Sequence, residues 1–398
     1  MQKKILILGA GVFQLPGIRK ACERGFHVIT LDNLPNNPGH KLSHQNFNCS
    51  TTNLNGVLQI AEKLQIDAIC TFSSDVAIPT VGYVCDELGL KGISYHVANT
   101  MTNKHLFRTF MQERDLASLG FVFGKDFKTV YKKIKELSLP IMFKPVDSSG
   151  SRGLTKLSTY ESRATNLAFE KAKDFSRSGV VCIEEFMDGI EVGGDGFLID
   201  GHLEFITITH KYMNNFVVTG HRLPGSIKAE YKQSVITALE QCCQNLGYRN
   251  GPLNFDVIVG KNQVGIIEIS ARNGGNGIPS IIKHAVGLDV ELATLKYVLG
   301  EKLDFFLQKT HIVHGCGSLV FGSPFPGVMK NISNFKALRR KVPQVVDLQL
   351  AKKCGDVVDT FNHNGNLIGY VLFECSDHKE YIKNSKKIMQ TLNMKIIY

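Results

Sequence analysis

Residues 139–153 read LPIMFKPVDSSGSRG, a short apolar run bounded by prolines that leads into a loop of small polar residues. The loop offers backbone N–H groups and three serine hydroxyls, which are donors that can hold a phosphate chain. Lys144, at the end of the predicted strand, would place an ammonium near the same anion. Gly150 and Gly153 could instead serve only backbone positions with positive φ, in a solvated surface loop. The stretch therefore predicts a phosphate-binding loop, with a plain surface loop as the alternative.

Two carboxylates lie in apolar segments further along the chain. Residues 253–259 and 264–269 are predicted to pair as a hairpin, which places Asp256 and Glu268 on adjacent strands. Two carboxylates facing each other across a hairpin repel, and a bound divalent cation removes that penalty. Arg272 follows at once and suits a carboxylate or phosphoryl oxygen. The alternative is that either acid pairs with Arg272 or a lysine, or faces water.

Two further segments carry candidate binding residues. The end of a strand predicted over residues 180–184 would present backbone groups beside aromatic and sulfur side chains, which suits an adenine, and Glu191 would suit a ribose hydroxyl. The residues at this strand end are Glu184, Glu185, Phe186 and Met187. His221 and Arg222 could contact a substrate. Taken alone, each segment is equally typical of an ordinary strand end or loop.

The N-terminal segment has the pattern of a parallel, doubly wound sheet. An apolar strand over residues 4–8 leads into Gly9-Ala10-Gly11, then a helix over 15–23 and a second strand that ends before Asp32. The glycines with Asp32 are compatible with dinucleotide binding, but Gln14 stands where a third glycine is expected. A tight turn with no ligand explains the glycines equally well. The early lysines and apolar run imitate a signal peptide, but the glycines interrupt it and favour a strand.

The composition of the chain limits the class of protein and the kind of ligand that it can have. A chain of 398 residues is long enough for two or three domains. Its 46 Lys+Arg against 36 Asp+Glu give a net charge of +10, but the basic residues are dispersed, so we expect an anionic small ligand and no nucleic acid. No stretch approaches the ~18 apolar residues of a membrane helix. The ten cysteines are scattered without Cys-x-x-Cys pairs, which favours reduced thiols in a cytoplasmic protein.

Hairpins in the second half of the chain predict antiparallel sheets there, in contrast to the parallel sheet of the N-terminal segment. Asp200-Gly201 favours a type I′ turn between two predicted strands, and a second hairpin joins the strands that carry the two carboxylates. Antiparallel hairpins after a parallel sheet argue against a single dinucleotide-binding fold. We therefore expect an α/β unit followed by α+β units.

Taken in order, these motifs resemble the ATP-grasp superfamily, and in particular its carboxylate–amine ligase branch, which includes the L-amino-acid ligases. The motifs are Asn103-Lys104, Phe143-Lys144-Pro145, the loop Asp147 to Gly153, Glu184-Glu185-Phe186 with Glu191, and Asp256 with Glu268 to Arg272. The resemblance implies a Rossmann-like pre-ATP-grasp domain, a small lobe, a large lobe with a metal site, and a C-terminal subdomain. The expected bounds are 1–100, 101–190, 191–300 and 301–398.

The resemblance also implies residue roles. Lys104 and Lys144 would contact the ATP phosphates, and Arg272 would steady the substrate carboxylate and the acyl phosphate. The loop residues expected to cover the phosphates are Ser148, Ser149, Gly150 and Ser151, and those expected at the nucleoside are Glu184, Glu185, Phe186, Met187 and Glu191. Asp256 and Glu268 would hold Mg²⁺, with Mn²⁺ as a substitute.

One position departs from the family pattern. The family usually has Asn two residues after the second metal carboxylate, where this chain has Ser270, and Ala271 stands in place of Pro. Serine is a poorer neutral ligand, so a second metal ion is in question.

The expected activity is ATP-dependent ligation of a small carboxylic acid, such as an amino acid, to an amine, by a chain that could form a homodimer. The rivals are a non-catalytic ATP-binding regulatory protein and an NAD(P)-dependent oxidoreductase.

Overall fold

The N-terminal segment forms a parallel sheet because its short apolar strands are buried on both faces. The computed structural model describes residues 2–116, 119–225, 227–261, 263–303 and 312–397. The first elements are β1 (Lys4–Leu8), α1 (Leu15–Glu23), β2 (His27–Asp32), β3 (Gln45–Asn48), α2 (Leu54–Leu64), β4 (Ala68–Thr71), α3 (Ile78–Leu88) and α4 (Tyr95–Thr102). The strand order is β3-β2-β1-β4, with all pairs parallel. The predicted doubly wound unit is confirmed.

A small antiparallel sheet follows. Its elements are α5 (Lys104–Glu113), β5 (Phe121–Gly124), α6 (Phe127–Lys133), β6 (Ile141–Pro145), β7 (Thr155–Leu157), α7 (Ser162–Asp174) and β8 (Val181–Glu185). The order is β5-β8-β6-β7, and α6 and α7 pack on one face, where Phe143, Phe169 and Ile183 form its core. The loop between β6 and β7 is the polar segment that follows Lys144.

The rest of the chain is built on one large antiparallel sheet. Its strands and those of a three-stranded sheet are β9 (Ile190–Ile199), β10 (His202–Asn214), β11 (Val217–Leu223), β12 (Gly251–Val259), β13 (Val264–Ser270), β14 (Cys316–Gly322), β15 (Gly327–Asn331), β16 (Val345–Leu350), β17 (Val357–Val358), β18 (Leu367–Glu374) and β19 (Lys395–Ile397). The helices are α8 (Ala229–Leu246), α9 (Ile278–Val286), α10 (Val290–Val298), α11 (Phe335–Lys341) and α12 (His378–Thr391). The large sheet has the order β13-β12-β9-β10-β11-β14-β18-β16, and the small one has the order β17-β15-β19.

Both predicted hairpins are present in the large sheet. Asp200 and Gly201 have φ values of +52° and +90°, as the type I′ turn between β9 and β10 requires. Strands β12 and β13 pair antiparallel, although Asn262, between them in the sequence, lies outside the described residues. The α+β character of the second half is therefore confirmed.

The large sheet crosses the domain boundary expected at residue 300. Strand β11 pairs with β14, so residues 316–374 extend the sheet that begins at β9. The four-part division of the chain stays a prediction, and these two parts share one sheet. Over the residues that the structure describes, no helix combines the length and apolarity needed to cross a membrane.

Candidate functional site

The residues expected to hold a triphosphate converge on one cavity. Lys104, Lys144, Asp256 and Glu268 all line a space of about 1040 Å³ that opens to solvent between the small antiparallel sheet and the large sheet. One end of this space is apolar, with walls from the strand end after β8 and from β12 and β13. The apolar lining residues include Met142, Leu154, Phe186, Met187, Ile258 and Ile266. The cavity thus has an end suited to a base and an end suited to charge.

A buried ion cluster positions Lys144. On β8, Glu184 accepts a hydrogen bond from Arg108 Nε at 2.9 Å and is also paired with Lys144 Nζ. Burial alone would raise the pKa of Glu184, but the Arg108 and Lys144 cations reverse that effect and lower it to about 2. Arg108 further donates to the carbonyl oxygens of Ile266 and Ile267. Glu184 therefore serves to orient two cations, a role that was not predicted for it from the sequence.

Replacing Glu184 with glutamine is expected to destabilise the fold by about 3–5 kcal/mol, because two buried cations lose their counter-charge. The folded pKa of about 2 lies below the ordinary value of 4.5, so the contribution is full above about pH 4.5 and is lost as the pH falls toward 2. Urea unfolding at pH 7 measures the loss of stability, and the same measurement at pH 3 tests whether the loss is smaller at acid pH. Glu170→Gln, at an exposed site of α7, is the control. An equal loss in the two variants at pH 7 would contradict the prediction.

The phosphate-side loop is anchored where it begins, at Asp147 and Ser148. Asn103 caps α5 by accepting from the N–H groups of His105 and Leu106, which places Lys104 in the first turn. Lys104 Nζ then donates to the carbonyl oxygen of Ser148 at 2.9 Å. Asp147 accepts from the N–H groups of Arg177 and Ser178, following α7. From these anchors the loop continues through residues 148–152, which line the cavity.

On the large-sheet side, two carboxylates face the same space. Asp256 on β12 is the direct register partner of Glu268 on β13. Asp256 Oδ2 accepts from Lys211 Nζ at 2.9 Å, and Lys211 also donates to Glu191 Oε1 at 2.6 Å. Strand β9 lies between β12 and β10, and a Cβ at Gly193 would collide with Asp256 Oδ1. The missing side chain at Gly193 lets Asp256 and Lys211 meet across the intervening strand.

Burial and neighbouring charges shift the pKa values of this cluster. Burial raises the pKa of Asp256, and Glu268 and Glu191 add to the effect while Lys211 opposes it. Burial would lower the pKa of Lys211, but the carboxylates of Asp256 and Glu191 raise it above its ordinary value. Lys211 thus neutralises Asp256 and Glu191, while Glu268 interacts electrostatically with the Arg108 and Arg272 guanidinium groups.

The donor set fits a divalent cation in part. Within the described ranges, no group of three or more His, Cys, Asp or Glu side chains is arranged to hold a metal ion. A cation here would rest on Asp256 and Glu268 and complete its shell with phosphate or water oxygens, as Mg²⁺ commonly does. Ser270 lies at the end of β13, and its buried hydroxyl interacts with Asp75, whose pKa it helps to lower. Ser270 lines neither the cavity nor the space that adjoins it.

A second space of about 940 Å³ adjoins the first and contains Arg272. Arg272 Nε donates to Asp75 Oδ1 at 2.8 Å, and Nη1 donates to the carbonyl oxygen of Asn273 at 3.0 Å. Burial would raise the pKa of Asp75, but the Arg272 guanidinium lowers it below its ordinary value. Ser73 Oγ donates to the carbonyl oxygen of Gly274. The loop after β4 therefore brings the N-terminal segment to the site.

Neutral polar groups complete the second space. His221 contacts Thr209 Oγ1 through Nδ1 at 2.8 Å, and burial, with Lys211 nearby, lowers its pKa to about 3, so its ring is uncharged at neutral pH. Asn254 donates to Asp195 Oδ1 at 2.9 Å, and Asp195 accepts from the N–H of Gly274. His221 thus lines the space that Arg272 enters, and its predicted contact with substrate stays a prediction.

Arg222 lies away from the site, and the Glu185 carboxylate is used in backbone contacts. Successive residues of a strand point to opposite faces, so His221 faces the second space while Arg222 Nε donates to the Tyr212 hydroxyl at 3.3 Å, away from both spaces. The assignment of Arg222 to substrate binding is therefore corrected. Glu185 borders the first cavity, but its carboxylate accepts from the N–H groups of Gly120 and Ser138.

Side chains of the N-terminal segment already contact the glycine loop. Asp32, considered above for a ribose, accepts from the N–H of Ala10 at 2.9 Å and of Leu34 at 2.9 Å. The Gln14 side chain lies over Gly9 and Gly11 and donates to the carbonyl oxygen of Phe72. These contacts use the groups on which the dinucleotide interpretation depended, and they favour the tight-turn alternative.

Several residues of the site were not predicted from the sequence. Those that carry charge or an amide beside the predicted residues include Asp75, Arg108, Lys211 and Asn254, which line the two spaces. The available signal for Lys211 was its place on one face of the predicted strand, in phase with Phe205, Thr207 and Thr209. The signal for Asp75 was an acidic residue just past the carboxyl end of a buried parallel strand.

Comparison with known proteins agrees with this geometry. Residues 137–280 match a family model described as an ATP-grasp domain. An uncharacterized protein of Sinorhizobium fredii is 22% identical over 332 residues, which are 81% of this chain and 67% of that protein. A formate-dependent phosphoribosylglycinamide formyltransferase of Aliivibrio fischeri is 25% identical over 299 residues, or 71% of this chain and 72% of the enzyme.

Solved structures share the whole fold. An L-amino acid ligase from Bacillus licheniformis superposes with a TM-score of 0.81 at 18% identity, covering 100% of this chain and 99% of that one. A phosphoribosylglycinamide synthetase from Anaerococcus prevotii superposes with a TM-score of 0.78 at 22% identity, covering 100% of both chains. At such identities the likeness establishes the fold.

Proposed function

Because residues 137–280 of this chain form an ATP-grasp domain within the fold of the carboxylate–amine ligases, we propose that the chain uses ATP to join a small carboxylic acid to an amine. The observation that carries the proposal is the convergence of Lys104 and Lys144 with Asp256 and Glu268 around one cavity. In the proposed binding mode, the apolar end holds the adenine beside Phe186 and Met187. The four charged residues and the 148–152 loop hold the phosphates.

The proposed chemistry has two steps. A carboxylate oxygen of the acid attacks the γ-phosphorus of ATP, the bond to the β-phosphate oxygen breaks, and ADP leaves with that electron pair. The amine nitrogen then attacks the acyl carbon, phosphate leaves, and the nitrogen loses a proton. A divalent cation held by Asp256 and Glu268 would neutralise charge on the phosphates. Positioning and cationic stabilisation supply most of the rate in phosphoryl transfer, which accounts for a site without a protein nucleophile.

The second space suits the acid substrate, for which we propose an amino acid. Arg272 presents a guanidinium to a carboxylate, and Asp75 beside it presents a carboxylate to an ammonium, so the two ends of a zwitterion have partners. Uncharged His221, Asn254 and Asn276 line the same space and suit a polar ligand. A screen of amino-acid pairs for release of ADP and phosphate tests the proposal. If no amino-acid pair causes release of ADP and phosphate although ATP binds, the result would favour a non-catalytic ATP-binding protein.

Replacing Lys144 with methionine is expected to weaken ATP binding about tenfold or more, because a charge-assisted contact to a phosphate contributes roughly 1.5–3 kcal/mol. Glu184 keeps Arg108 as a partner in this variant, so the fold should persist. Isothermal titration with ATP and Mg²⁺ measures the effect, with the exposed Lys132→Met on α6 as the matched control. Unchanged ATP affinity, or NAD(P) binding that survives in the variant, would favour the oxidoreductase alternative.

A further inference from the structure

The turn between β17 and β18 reaches from the C-terminal segment to both walls of the site. Within residues 359–366, the Asn364 Nδ2 group donates to the carbonyl oxygen of Val218 at 3.2 Å and to Asn276 Oδ1 at 3.1 Å. The backbone N–H of the same residue donates to the carbonyl oxygen of Gly150 at 3.2 Å. One residue thus joins the large sheet to the loop proposed to cover the phosphates.

Two other contacts connect this turn to the small antiparallel sheet and its helices. His363 meets Phe175, just past the end of α7, in an edge-to-face contact with ring centroids 6.1 Å apart. A Cβ on Gly365 would collide with Arg152 Nη2, so the turn passes close against the arginine of the loop. The absence of a side chain at Gly365 allows this approach.

The partner of Asn364 on the large-sheet side lies in the loop that carries the acid-binding arginine. Asn276 is four residues beyond Arg272, and both line the second space. Gly274, between them, is held by Asp195 through its N–H. Asn364 therefore ties the phosphate-side loop to a loop whose position is already fixed by the buried Asp195.

We propose that Asn364 is a positioning residue that keeps the 148–153 loop closed over bound nucleotide. The inference rests on the proposed function, because closure matters where a reactive acyl phosphate must meet an amine before it meets water. If water attacks the acyl carbon, the acid and phosphate are released and the ATP is wasted, whereas attack by the amine yields the amide and phosphate. A loop held through Asn364 to Asn276 excludes water during that interval.

Hydrogen exchange on nucleotide binding tests the inference without knowledge of the substrates. With AMP-PNP and Mg²⁺ present, the amides of residues 148–153 in the wild-type chain should be protected. In Asn364→Ala, we expect exchange there about fivefold faster or more, with AMP-PNP affinity changed by less than about threefold, because two side-chain hydrogen bonds of the closed state are lost.

The matched control is Asn366→Ala in the same turn. Asn366 Nδ2 donates to the carbonyl oxygen of Thr360 at 2.9 Å and to Asn362 Oδ1, contacts that stay within the turn. Wild-type protection of residues 148–153 in this variant supports the specific tie through Asn364. Equal loss of protection in both variants, or full protection in Asn364→Ala, overturns the inference. If the wild-type chain binds no AMP-PNP, the proposed function fails and the inference fails with it.

A second readout follows once the screen identifies an acid and an amine. The ratio of phosphate released to amide formed should rise about fivefold in Asn364→Ala and stay at the wild-type value in Asn366→Ala. A purely structural role for Asn364 would lower both products together and leave the ratio unchanged, which would also overturn the inference.

Discussion

An Arg272→Lys variant is expected to lose amide formation by about 10²–10³-fold while its ATP affinity stays within about threefold of wild type. The guanidinium uses Nε for Asp75 and Nη1 for the Asn273 carbonyl, and lysine cannot reproduce this fork. The substitution weakens the binding of the acid and the stabilisation of the charge that develops at its carboxylate. ATP affinity is spared because Arg272 lines the second space and not the cavity proposed for the nucleotide.

Steady-state kinetics of amide formation, with the acid and amine from the screen, measure this loss beside titration with ATP. Arg222→Lys is the control, since Arg222 is also a buried arginine of the large sheet but lies on the face away from the site. We expect this control within about threefold of wild-type activity. A comparable loss in the two variants, or an Arg272→Lys protein that no longer binds ATP, would contradict the assignment of Arg272 to the acid.

The second large effect is expected for Glu268→Gln, which should lower ATP-dependent phosphate release by about 10²-fold or more and raise the Mg²⁺ concentration needed for half-maximal rate. Glu268 faces Asp256 in direct register, and the two side chains place a pair of carboxylates at the charged end of the cavity. Glutamine keeps the shape and removes one of the two anionic ligands that a cation would use.

Phosphate release measured across a Mg²⁺ series separates this effect from a loss of folding. Glu204→Gln, at an exposed position of β10 in the same sheet, is the control and should match the wild-type Mg²⁺ dependence. If Glu268→Gln has the Mg²⁺ dependence of the control, the cation is not held at this pair.

The features that could be predicted from the sequence are those set by neighbouring residues. The hairpin of β12 and β13 is local, so the apolar pattern of its two strands was enough to place Asp256 opposite Glu268. The loop after β6 could be recognised for the same reason, since Lys144 and the serines that follow lie within a few residues of one another.

The features that escaped prediction depend on contacts across the sheet or between distant segments. Strand β9 lies between the strands that carry Lys211 and Asp256. The two side chains meet across it because Gly193 has no side chain at the crossing point. Asp75 and Arg272 are 197 positions apart in the chain, so no local pattern could pair them. Arg222 was wrongly predicted to contact substrate because the face on which it lies depends on its pairing with β10 and β14.

The most direct test of the account is a crystal structure with AMP-PNP and Mn²⁺, with anomalous scattering to locate the cation. We expect the adenine between Phe186 and Ile258, the phosphates beside Lys104 and Lys144, and an anomalous peak between Asp256 and Glu268. Nucleotide bound at Gly9–Gly11, or a cation distant from both carboxylates, would contradict it.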